Sequence, residues 1–252
     1  MRLDGVEVKV NVEGEQTMSA VRILGLPAVP PWQIFFVEDV TAKLGSTIPL
    51  SEHGLIIRAR QKTKGNDDVT IKFRPARRSQ LSDAWLATTK TTDGDLKTEL
   101  KIEQDWAGAR RTLAISLTSD RPDGLVGAAV AARDVSALLT EDQKKLIDQC
   151  AEVRVNLDVL TVLPAVSAMR WPTFSAPGPA GSALSVRAER WIVGALDFIE
   201  LSIAVGVEAA EEAQTALEDF LLSKGLQPAV DEAKTSQVLR SLVAEAAASG
   251  QA

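Results

Sequence analysis

Four short stretches of this chain set charged and apolar residues on opposite sides of an extended backbone. In VEVKVNV, 6–12, Val6, Val8, Val10 and Val12 fall on one side and Glu7, Lys9 and Asn11 on the other. GLIIRAR at 54–60, DVTIKFR at 68–74 and KTELKIE at 97–103 repeat the pattern. A period of two is that of a β-strand, whose successive side chains point to opposite faces. The inner face of a β-sandwich does not accept so much charge, because buried charge without a partner is costly. Two arrangements do accept it. One is a sheet with one wet face; the other is a closed barrel with a polar lumen and an apolar outside covered by helices. One such strand reads as a solvated face, but four of them make a shared interior an equal alternative.

The remaining elements fit around these strands. WQIFFVEDV, 32–40, is rich in aromatic and β-branched residues and reads as a strand, as do 111–120 and parts of 155–171. Gly65-Asn66 supplies a turn between the strands at 54–60 and 68–74. Residues 13–25 read as a short helix or irregular piece. Thr140 and Gln143 form a capping-box pattern, followed by Leu146, Ile147, Cys150 and Val153 at helical spacing. The stretch 174–184 has the Pro, Gly and Ser content of a loop or long hairpin connection. A last hairpin turns near Gly194, a helix covers 207–224 up to Gly225, and 229–248 reads as a final Ala-rich helix with 249–252 fraying.

Charge is distributed unevenly. The chain carries a formal charge of -6, yet Arg58, Arg60, Lys62, Lys64, Lys72, Arg74, Arg77 and Arg78 crowd into one hairpin region, against Asp67 and Asp68. The net acidity argues against a nucleic-acid polymer as partner, since a phosphate backbone needs a broad basic face. A local cluster suits a small anion. Arg58 and Arg60 share one strand face, and Lys72 and Arg74 share the neighbouring one. If the hairpin pairs about its turn, like charges meet and require carboxylates, solvent or an anion between them. Glu200 stands in the apolar run LDFIELSIAV, where it needs a cation or a metal. Glu7, Glu99, Glu103 and Glu189 also lie on strand-like segments, and carboxylate oxygens favour hard ions such as Mg2+ or Mn2+.

Other chemistry is sparse. One histidine, His53, excludes a multi-histidine site and reads as a solvated loop residue. One cysteine, Cys150, excludes an internal disulfide and reads as packing. Trp85, Trp106 and Trp191 read as core or barrel-exterior packing. Neither common glycine-rich phosphate loop occurs. The charged N-terminus is not that of a signal peptide, and no apolar run is long enough to span a bilayer, so a cytoplasmic protein without a membrane partner is expected.

These motifs together resemble the CYTH domain, the triphosphate tunnel metalloenzyme family. VEVKV at 6–10 looks like its opening Glu-x-Glu-x-Lys strand, with Gly5 at the first glutamate position. IFFVEDVTAKLGSTIPLSEHGLIIRAR, VTIKFR and KTELKIE resemble its next strands, and Arg170 its later lumen arginine. The stretch LDFIELSIAV resembles its closing strand, with Ser202 where a second glutamate is usual. The resemblance implies an α+β fold: a closed antiparallel eight-stranded β-barrel over 1–225, with an inserted helix near 134–153 and a helical extension over 226–252. It implies Arg58, Arg60, Lys72, Arg74, Lys101 and Arg170 as phosphate ligands. It implies Glu7, Glu99, Glu103 and Glu200 as ligands of Mg2+ or Mn2+, and Lys9 as a catalytic base or phosphate ligand. The activity implied is metal-dependent hydrolysis of inorganic, thiamine or nucleoside triphosphate by a monomer or homodimer. Two alternatives belong to the same scaffold: a barrel that binds polyphosphate or nucleotide without turnover, and a class IV-type adenylate cyclase. A basic-faced sheet docking an acidic protein is a third.

Overall fold

The computed structural model describes residues 2–41, 48–229 and 234–248. Part of the loop used for the resemblance, 42–47, therefore lies outside the described residues. So do 230–233 of the expected final helix segment and the expected frayed end, 249–252.

Among the described residues there are twelve strands: β1 (Gly5–Glu13), β2 (Trp32–Glu38), β3 (Leu55–Gln61), β4 (Asp67–Phe73), β5 (Lys90–Asp93), β6 (Leu96–Ala107), β7 (Arg110–Arg121), β8 (Thr161–Val162), β9 (Val166–Arg170), β10 (Phe174–Pro177), β11 (Ala183–Val193) and β12 (Leu196–Val205). Nine of them close into a barrel in the order β1-β12-β11-β9-β2-β3-β4-β7-β6, and β6 returns to β1. The expected count of eight, all antiparallel, is corrected on both points. The closing pair β1–β6 is parallel, with Glu7 beside Asp105 and Lys9 beside Ala107. The first strand joins β6 from the middle of the chain rather than through a hairpin, and sequence periodicity carries no signal for such a long-range pair. The expected strand region 155–171 also resolves into a 3-10 turn and the short strands β8 and β9. The first four residues of the stretch 174–184, expected as a loop or long hairpin connection, are β10, paired to β11.

Alternation sorts the two faces as read. Val6, Val8, Val10, Val12, Ile57, Val69, Ile71, Leu100, Ile102, Ile115 and Leu117 point outward and are buried beneath helices. On one side lie α1 (Gln16–Ile23) and α7 (Ala210–Ser223). On the other lie α2 (Pro49–Glu52), α3 (Asp83–Ala87), α4 (Leu125–Ala132), α5 (Val135–Leu138) and α6 (Glu141–Cys150). α6 carries the expected capping box: Thr140 Oγ1 accepts from Gln143 N–H, and Gln143 Oε1 accepts from Thr140 N–H. Cys150 is buried in that packing.

α8 (Lys234–Ala248) packs differently. Its Val238, Leu239, Leu242 and Val243 meet Ile34, Phe36, Ile56 and Phe198. Ile34 lies across from Arg60, Phe36 from Arg58 and Ile56 from Lys72, so these apolar residues are on the lumen face. The barrel interior is therefore apolar at one end, closed by α8, and polar toward the other. No helix of the described residues is long and apolar enough to cross a membrane.

Candidate functional site

The lumen is built by register. In an antiparallel pair, residues directly opposite share a face. Arg58 lies opposite Thr70, and Arg60 opposite Asp68. Lys72 lies opposite Ser116 on β7, which in turn faces Lys101 on β6. Arg170 of β9 faces Glu189 of β11, and Glu189 faces Glu200 of β12. All of these except Asp68, with Glu7, Lys9, Glu99, Glu103, Arg187, Trp191 and Ser202, line one cavity of about 350 Å3. That is room for a small ligand. The strand register thus brings together the basic and acidic residues expected in the lumen, apart from Arg74, which sits deeper beside α8.

The like charges on β3 and β4 are not left to repel. Asp105, which is buried, receives all three inner cations. Lys9 Nζ lies 3.0 Å from its Oδ1, Lys72 Nζ donates to Oδ2 at 2.8 Å, and an Arg74 N–H donates to Oδ2 at 3.0 Å. Burial alone would raise the Asp105 carboxyl, but the three cations overcome it and hold it well below the ordinary carboxylate range. Burial would likewise lower Lys9, yet Asp105, Glu7 and Glu200 raise it, so Lys9 stays a cation. Glu7 completes this group 2.8 Å from Lys9 Nζ. At the open end Arg60 donates from Nε to Asp68 at 2.7 Å, and Lys62 pairs with the same carboxylate.

Three lumen arginines differ. Among the described residues Arg58, Arg170 and Arg187 have no carboxylate within ion-pair distance, whereas Arg60, Lys72 and Arg74 do. Arg58 is half-buried, its Nε is buried with no hydrogen-bond partner, and its Nη2 makes a long 3.5 Å approach to Thr70 Oγ1. Burial, reinforced by Arg60, pushes its pKa down to about 10. Arg170 is pulled down by burial and by Arg60, and its guanidinium stacks 5.3 Å from the Trp32 ring. The raised Glu200 reflects burial first, opposed by Lys9. Glu103 is raised by burial, and its nearest cation, Lys101, is 3.8 Å away.

The residues do not build a metal centre. Among the described residues no group of three Asp, Glu, His or Cys side chains could hold an ion. Glu7 and Asp105 instead spend their oxygens on lysine and arginine. The two positions where the family pattern has glutamate do not help. Gly5 has φ 152°, and a Cβ there would meet Val205 O at 3.0 Å. Ser202 carries no charge. Asp4 points away, accepting from Ile102 N–H and pairing with Arg2.

Sequence reasoning missed Asp105, Asp68 and Arg187. Each continues an alternation already read: Asp105 follows Lys101 and Glu103, Asp68 precedes Lys72, and Arg187 precedes Glu189. β6 simply runs four residues further than the expected strand. Trp191 packs against the apolar cluster, within the expected core role, and it also lines the lumen, donating to Glu189 at 2.9 Å and lying near Phe36 and Phe198. Trp85 and Trp106 pack outside the barrel as expected.

No family model matches the sequence, and no curated protein is detectably similar to it. Solved structures are. The Hippeastrum protein HpAC1, provisionally assigned as an adenylyl cyclase and described as having a dominant triphosphatase activity, aligns with a TM-score of 0.59 at 13% identity, over 94% of this chain and 95% of its own. A Bacillus halodurans protein, provisionally assigned as an adenylate cyclase, aligns with a TM-score of 0.56 at 11% identity, over 93% and 97% of the two chains. This chain has the fold of those two proteins, the tunnel barrel that the CYTH resemblance implied.

Proposed function

We propose that the chain binds a small triphosphate-bearing anion, inserted through the open end of the lumen. The observation that carries this is Arg58. A buried, unpaired guanidinium Nε is costly, and a phosphate oxygen is the partner that the planar donor fork fits. Arg170 and Arg187 face the same space without a carboxylate at ion-pair distance, so three lumen guanidiniums are left for a ligand to pair with. The expected ligands Arg60 and Lys101 stand beside them, with Lys72 and Arg74 deeper. Because the basic residues face inward, a folded acidic protein cannot reach them. That geometry favours a small anion over protein docking.

Hydrolysis of the bound anion is the second reading, favoured by Glu200. Its carboxyl is raised by burial and shares the cavity with Arg58. In this reading it takes the proton of a water whose oxygen attacks the terminal phosphorus as the bridging P–O bond breaks. Lys9, held protonated, would serve as a cation rather than a base. The reported triphosphatase activity of the Hippeastrum protein supports the same direction. The lumen carboxylates do not fit the expected Mg2+ or Mn2+ site, so no step is assigned to a metal.

Calorimetry with tripolyphosphate, thiamine triphosphate and ATP tests the binding. Release of phosphate from each, in Mg2+, in Mn2+ and in chelator, tests turnover, and formation of cyclic AMP from ATP tests the cyclase alternative. Binding that is lost in Arg58→Ala supports the site. Binding without release of phosphate or cyclic AMP leaves a binder, and no binding to any of the three sinks the proposal.

A further inference from the structure

The inner and outer cations of the lumen are in different electrical states. Outside, Arg58, Arg170 and Arg187 have no carboxylate partner. Inside, Lys9, Lys72 and Arg74 converge on Asp105 at 2.8 to 3.0 Å. One carboxylate with three cations is the pattern that a bound phosphate makes with its own ligands. Behind this group the barrel is shut: Arg74 also donates to Thr235 of α8 at 2.8 Å, and Lys234 pairs with Glu13. Glu7 is the second carboxylate facing the group, through Lys9.

We infer that Asp105 is a built-in anion. It occupies the inner half of the cation array and confines an incoming phosphate chain to the outer arginines, which makes it a specificity-determining residue for chain length. This rests on the anion-binding reading above. The physical argument is competition. A phosphate reaching Lys72 must displace a carboxylate that is already desolvated and held by two charge-assisted hydrogen bonds and an ion pair to Lys9, whereas a phosphate at Arg58 displaces no ion pair. Affinity should therefore grow with chain length only while new phosphates meet the outer arginines.

The test is calorimetry of pyrophosphate, tripolyphosphate and tetrapolyphosphate against the native protein, Asp105→Asn and Glu103→Gln, at one salt concentration. Asp105→Asn should free Lys72 and Arg74, leave Lys9 to Glu7 alone, and tighten tetrapolyphosphate by about tenfold or more, with pyrophosphate changing much less. Glu103→Gln removes the same charge from the same strand but frees only Lys101. An equal gain there would reduce the effect to overall charge and overturn the inference. Native binding with no gain in Asp105→Asn also overturns it, while leaving the anion site standing. No binding by the native protein overturns both. If Asp105→Asn does not fold alone, tetrapolyphosphate should restore its cooperative melt by standing in for the lost carboxylate. Failure to do so, with sulfate as control, counts against the inference.

Discussion

At the scale of single residues, Arg58 sets function against stability. Its burial without a full set of partners costs the empty protein free energy that a ligand would return. Arg58→Met should therefore lower tripolyphosphate affinity by about tenfold or more while raising the melting temperature of the unliganded protein. A gain of 1 kcal/mol corresponds to about 2–4 °C for a chain of this size. Both are read from calorimetry and a thermal melt, and a fall in both would mean that Arg58 is a packing residue. Gly5 makes a complementary case. Its backbone conformation strains any side chain, and a Cβ would press on the Val205 carbonyl at 3.0 Å. Gly5→Glu should not restore a lumen carboxylate but should cost about 1–3 kcal/mol in denaturant unfolding. A neutral or stabilising result would show that the strand shifts to accommodate it.

At the scale of elements, the alternation in β1, β3, β4 and β6 was legible because a period of two is written locally. The faces it assigned to Lys9, Arg58, Lys72 and Lys101 are those the barrel uses. Asp105 was not legible, because it belongs to the end of β6 and gains its meaning from Lys9 on β1 and Arg74 beyond β4. The parallel β1–β6 seam that brings them together joins residues about a hundred positions apart. That seam has a titration signature. The Asp105 carboxyl is held well below its ordinary value of 3.8, so its contribution to stability is present above that value and is lost as pH falls further. Thermal melts from about pH 5 to about pH 2 should show a drop in the native protein that is shallower in Asp105→Asn. Parallel profiles would mean that the ion cluster contributes nothing to acid stability.

At the scale of the whole molecule, the barrel becomes a one-ended site because its last helix closes it. Nothing local in 229–248 announces this: an Ala-rich amphipathic pattern suits any helix with one apolar face. The information lies in the other partner, in Ile34, Phe36, Ile56 and Phe198, which break the polar character of the lumen at one end. Val238, Leu239 and Leu242 are almost wholly buried against them. If α8 is an integral stopper, Leu242→Ala should lower unfolding free energy by about 2–5 kcal/mol, the cost of a cavity in a packed core. Unfolding followed by the fluorescence of the five tryptophans, Trp191 at the same end among them, and by far-ultraviolet dichroism should coincide, because helix and barrel share one apolar cluster. A helix that melts earlier than the barrel, or a substitution costing less than about 1 kcal/mol, would separate α8 from the barrel core. The inner end of the lumen would then be open to solvent, and a phosphate chain could thread it from either side.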